Sequence, residues 1–137
     1  ILEKLFGEKY IKVFIPPWFE IDDNTHKTIK ELKYLALSNY WSNNKNKFGM
    51  NEINCQVDLI NWENAWTFGG EDFVLNQLIK EISSCNDDYI NIGILLHHER
   101  MGKIAYQFLE RFLNFIEGKA NIVDFNTLLN NIEDRND

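Results

Sequence analysis

Residues 89–96 read YINIGILL, and His97-His98-Glu99-Arg100 follow without a break. The run is almost continuously apolar toward its end, which suits a strand buried on both faces in a parallel sheet. Behind it, Met101, Ile104, Ala105, Phe108, Leu109, Phe112 and Ile116 recur at helical spacing, and Gly118 closes that helix. A strand that passes its chain straight to an amphipathic helix is one βα unit.

Working outward, the same alternation repeats. Residues 53–60 (INCQVDLI) form a partly alternating strand. A helix over 71–84 follows, with Val74, Leu75, Leu78, Ile79 and Ile82 on one face. Residues 11–15 (IKVFI) form a strand stopped by Pro16-Pro17, because proline cannot continue a central ladder. Asp22, Asp23 and Asn24 are N-cap types ahead of a helix marked by Ile29, Leu32, Leu35 and Ala36. A brief extended step follows at Leu37-Ser38, and residues 39–49 and 61–70 read as loops. The opening ILEKLFG resembles the last turns of an apolar helix ended by Gly7, so the chain is expected to begin in mid-fold. A final helix is expected from Asp124, with Val123 and Leu128 as a hydrophobic staple. The expected class is α/β, with parallel strands and flanking helices in one domain over residues 1–137.

Composition bounds the function. With 137 residues, 45% of them hydrophobic, the chain can bury a core. Fourteen basic against 21 acidic residues give a formal charge of −7, which argues against a nucleic-acid groove or an anionic membrane surface. No apolar run reaches the roughly 20 residues of a bilayer span. Cys55 and Cys85 lie too far apart for a CxxC pair and read as packed thiols. No targeting pattern appears, and the compartment stays open.

In parallel α/β folds, ligands meet the loops at the carboxyl ends of strands. Three segments place chemistry there: Pro16-Pro17-Trp18, Asp58 to Trp62, and His97-His98. Histidine titrates near neutrality, so His97 can protonate a leaving group, or it can simply bond a neighbouring carbonyl. His97, His98 and Glu99 do not read as a metal site, because consecutive strand residues point to opposite faces. Asp58 can orient a base or cap a loop. Tryptophans can stack on sugar faces or pack in a core, and packing is the reading for Trp41 and Trp66.

F-I-P-P-W at 14–18, D-L-I-N-W at 58–62 and L-L-H at 95–97 occur in order. They resemble the later motifs of the polysaccharide deacetylase (NodB-like) family, in its divergent PPW-containing branch. The resemblance covers roughly residues 11–115. It implies the C-terminal portion of a deformed (β/α) barrel and metal-dependent removal of acetyl groups from a polysaccharide or amino sugar. On that resemblance, His97 would be the catalytic acid, Leu95 would line the acetyl pocket and Trp62 would form its wall. Asp58 would belong to the charge network, Pro17 and Trp18 would shape the substrate loop, and His98 is the remaining candidate substrate contact.

The sequence also departs from the pattern. The family's arginine would fall near Phe14 or Ile15, its second acidic residue is Asn61 here, and the early acidic and His-x-x-x-His motifs are absent. Asp22-Asp23 and Asp87-Asp88 read as caps. The chain itself is therefore expected to hold no metal. A zinc-like divalent ion and the base would come from a missing N-terminal half of the same barrel. The expected partners are that half and a carbohydrate, with no nucleic acid. The rival expectation is a non-catalytic α/β domain that binds sugar or is purely structural.

Overall fold

A computed structural model describes residues 1–38, 49–64, 66–86 and 90–136, with side chains given as far as residue 131. The expected loop at 39–49, with Tyr40, Trp41 and Phe48, lies outside the described residues apart from Gly49. Asp87, Asp88 and Tyr89 also lie outside them. The fold is mixed α/β, with five α-helices and short, mostly parallel strands among the described residues, and these strands close no barrel. None of the described helices is long and apolar enough to cross a membrane.

The chain packs as two compact units. The first comprises Ile1–Asn54 and Ile122–Asp137. It contains helix α1 (Leu2–Phe6), strand β1 (Val13–Phe14), helix α2 (Asp23–Glu31), and strands β2 (Ala36–Leu37) and β3 (Asn51–Glu52). The order is β1-β2-β3, all parallel, with Ala36 in register with both Val13 and Asn51. Ile29, Leu37 and Met50 form its core, with Phe14, Ile21 and Tyr34 packed around them. Asp22 caps α2 by accepting the Thr25 N–H at 2.7 Å.

Helix α2 ends sooner than its apolar spacing suggests. Lys33 takes a left-handed conformation (φ 57°) and breaks the helix before Leu35. The Tyr34 N–H then bonds the Ile29 carbonyl and the Lys33 N–H the Lys30 carbonyl, the double closure of a Schellman motif. Leu32 and Leu35 are left exposed, and Ala36 becomes strand.

The second unit, Cys55–Asn121, holds β4 (Cys55–Asp58), β5 (Ile60–Asn61), β6 (Thr67–Phe68), α3 (Glu71–Ser84), β7 (Gly93–Leu95) and α4 (Lys103–Ile116). β4 and β7 are parallel, with Asp58 opposite Leu95, as the two apolar runs predict. A bulge between Cys55 and Val57 inserts Gln56, whose side-chain oxygen accepts the Gly93 N–H at 2.7 Å. The expected loop at 61–70 contains a short antiparallel hairpin instead: β5 pairs β6, Ile60 with Phe68.

Val57, Leu59 and Ile60 pack against Val74 and Leu78 of α3 and against Met101, Ala105 and Phe108 nearby, forming the core of this unit. Burying each large apolar side chain is worth about 1.5–3 kcal/mol. α3 starts where the sequence predicts because Gly69 and Gly70 release the chain. A Cβ on Gly69 would stand 2.3 Å from the Phe73 ring. Leu75, Ile79 and Ile82 are exposed, so the buried stripe of α3 is narrower than its apolar pattern.

The last helix, α5 (Phe125–Asn136), belongs to the first unit and starts as predicted. Asp124 caps it by accepting the Thr127 N–H and hydroxyl at 2.9 and 2.8 Å.

Candidate functional site

The parallel pairing of β4 and β7 carries both carboxyl ends to one edge, and the site assembles there. Asp58 is the last residue of β4 and is buried, with 6% of its surface exposed. His97 lies two residues beyond β7. Its carbonyl accepts the Arg100 and Met101 N–H groups at 2.8 and 3.0 Å, closing the turn that leads toward α4. The His97 Nε2 stands 3.3 Å from Asp58 Oδ2.

The same carboxylate organises the chain just beyond it. Asp58 Oδ1 accepts the Ile60 N–H at 2.8 Å, an Asx turn that ends β4 and starts β5. The Trp62 Nε1–H donates to Asp58 Oδ2 at 2.8 Å. Asn61 then closes the next turn, its Oδ1 accepting the Glu63 and Asn64 N–H groups. The departure at Asn61 thus has a structural use that a second carboxylate could equally serve.

These contacts assign the histidine tautomer. A carboxylate offers only acceptors, and Ile60 N–H and Trp62 Nε1–H are donors only. Neutral His97 must therefore present Nε2–H to Asp58, which leaves Nδ1 as the nitrogen free to exchange a proton. A buried carboxylate that fixes one ring nitrogen in this way sets both tautomer and orientation.

Aromatic rings wall the pair. The Trp62 and His97 rings meet edge to face at 4.9 Å, and Trp62 meets Trp66 the same way at 5.8 Å. Trp66 is 51% exposed and has a left-handed backbone (φ 55°), so it lies on the wall and not in the core, contrary to the packing expected from sequence. The Arg100 guanidinium lies 5.9 Å from the Trp66 ring centre, within cation–π range.

Of the expected site residues, the structure brings together Asp58, Trp62 and His97, with half-buried Leu95 in register with Asp58. His98 is exposed in the turn beyond the strand, so strand alternation does not govern where it points. Pro17 and Trp18 belong to the first unit, in a short 3₁₀ turn (Pro17–Phe19) that leaves Trp18 81% exposed with φ 57°. Cys55 and Cys85 are both half-buried, and neither is in a disulfide.

Sequence reasoning missed Gln77. From α3, its Oε1 accepts the Asp58 N–H at 3.1 Å and its Nε2 donates to the Asp58 carbonyl at 3.0 Å. The signal was present: Gln77 is an amide between Val74 and Leu78, inside the apolar stripe.

Among the described residues, no group of three His, Cys, Asp or Glu side chains could hold a metal ion. Asp58 engages both carboxylate oxygens with Ile60, Trp62 and His97, and His97 engages one ring nitrogen with Asp58, an arrangement that fits proton handling. No known protein family matches the chain, and neither a curated protein nor a solved structure matches it at a significant level.

Proposed function

We propose that the chain is the C-terminal half of a carbohydrate deacetylase-like hydrolase, a partial (β/α) barrel that supplies the general acid and one pocket wall. The observation that carries this reading is the convergence on one carboxylate. Asp58 receives the Trp62 indole and the His97 imidazole, the residues that the D-L-I-N-W and L-L-H resemblance joins functionally.

In this reading, His97 is protonated on both nitrogens when the acyl carbon bonded to a sugar nitrogen or oxygen is attacked by water. As the bond from acyl carbon to leaving atom breaks, its electron pair stays on that atom, which takes the Nδ1 proton. The ring returns to neutral with Nε2–H still held by Asp58, so the imidazole need not turn over between protonation states. Trp62 and Leu95 offer apolar surface for a methyl group. The base and a zinc-like divalent ion would come from an N-terminal half.

The test is acetate release from an N-acetylated oligosaccharide by the protein that carries this chain. His97→Ala should lower turnover by about 10²–10⁴-fold with little change in substrate affinity, because a positioned acid acts mainly in the transition state. His98→Ala should do little. Equal, small effects at the two histidines would refute the acid role. A second reading, sugar binding without hydrolysis, draws on half-exposed Trp66 beside Arg100. It is favoured if saccharide binds, Trp66→Ala abolishes binding and no acetate is released.

A further inference from the structure

We infer that Gln77 is a positioning residue for the Asp58–His97 pair, acting from helix α3 by clamping the backbone of Asp58. This rests on the acid role of His97 proposed above.

The geometry is a two-point match. A primary amide carries an acceptor oxygen beside an NH2 with two donors, so it can take the N–H and the C=O of one extended residue together and still donate once more. Gln77 Oε1 accepts the Asp58 N–H at 3.1 Å, and Gln77 Nε2 donates to the Asp58 carbonyl at 3.0 Å. A second bond from Nε2 to the Phe73 carbonyl at 3.2 Å ties the amide to its own helix and fixes which end is nitrogen. Both backbone groups of Asp58, the last residue of β4, are thereby held from α3.

The bonds made by the Asp58 carboxylate make that hold consequential. It must meet Ile60 N–H and Trp62 Nε1–H within the next four residues, and His97 Nε2 from beyond β7. The His97 contact is the longest of the three, at 3.3 Å, and is the one a small rotation of the Asp58 backbone would lose first. The Ile60 and Trp62 contacts lie within the same short segment and would move with it. Gln77 alone among these partners anchors the segment to a helix, through a half-buried side chain flanked by buried Val74 and Leu78.

Gln77→Met keeps the length and helix preference of the side chain but removes its hydrogen bonds. Imidazole nitrogen shifts in a long-range proton–nitrogen NMR correlation on the full chain report the His97 tautomer directly. In the parent, His97 should show a single Nε2–H form. In Gln77→Met it should show an average of both tautomers, and turnover in the active protein should fall by up to about 100-fold, the scale of a misplaced catalytic group. Substrate affinity should hold.

A folded Gln77→Met that keeps the Nε2–H form and full turnover overturns the inference. If that variant does not fold, Gln77→Glu decides: it retains an acceptor for the Asp58 N–H but loses the donor to the two carbonyls. Tautomer averaging in the glutamate variant supports the clamp, and an unchanged Nε2–H form overturns it. The two proposals fail separately. If His97→Ala leaves turnover intact while Gln77→Met frees the tautomer, the clamp stands and the hydrolase reading falls. If His97→Ala abolishes turnover and Gln77→Met changes nothing, the reverse holds.

Discussion

Replacing Asp58 by asparagine changes one atom and reverses one hydrogen-bonding polarity. The new side chain keeps an oxygen for the Ile60 N–H, which lies 2.8 Å from Oδ1. Its amide nitrogen must then face the Trp62 Nε1–H and the His97 Nε2, where Oδ2 stood. The indole donor loses its acceptor, and an unsatisfied part-buried donor costs about 1–3 kcal/mol. The histidine can adapt: by moving its proton to Nδ1, it accepts from the amide through Nε2. Asp58→Asn should therefore unfold at lower urea, with the midpoint shifted by about 1 M for a urea slope of 1–3 kcal/mol/M. It should also show the opposite His97 tautomer in the nitrogen NMR spectrum. The proton-bearing nitrogen would then face away from Asp58 in the neutral ring, and an imidazolium would lose its carboxylate partner. An Asp58→Asn protein with the parental midpoint and a retained Nε2–H form would refute the assigned network.

Gly69→Ala should destabilise the second unit by about 1–3 kcal/mol in a urea melt, because the added Cβ meets the Phe73 ring at 2.3 Å and the packed ring must move. No loss of stability would show that the ring is free to rotate away. Hydrogen bonds from Thr25 and from Thr127 hold the Asp22 and Asp124 carboxyls below their ordinary value of 3.8. The stabilisation they give α2 and α5 is complete above that value and is lost as pH falls through the depressed one. Helical circular dichroism should therefore stay level from pH 7 to about 4.5 and lose this component only below about pH 4. Asp22→Asn with Asp124→Asn should remove that acid-dependent component, and an unchanged acid profile would contradict the capping.

Much of the second unit was legible because its signals are redundant. Helix α3 carries Val74 and Leu78 at helical spacing and begins after two glycines, so its bounds at Glu71 and Ser84 could be read directly. The β7 run and the α4 stripe were visible for the same reason, and Asp58, Trp62 and His97 could be singled out from position at strand ends. What escaped were backbone conformations that residue type does not announce. Lys33 and Trp66 take left-handed φ values that usually signal glycine, so neither the end of α2 nor the turn between β5 and β6 could be seen. Gln77 escaped because a polar residue on a buried helix face reads as a flaw in the pattern until its partner is known.

Asp58 does two kinds of work, and they would respond differently to a lost selective demand. Its bonds to Ile60 and Trp62 shape the chain whether or not any substrate is turned over, whereas on the proposed reading His97 would contribute mainly through its proton. In a lineage that abandoned the chemistry, drift would erode the histidine first and leave the aspartate and tryptophan standing as a folding relic. In descendants of this gene, the residue at position 97 would therefore separate working copies from retired ones, and the D-x-x-x-W signature at 58–62 would not.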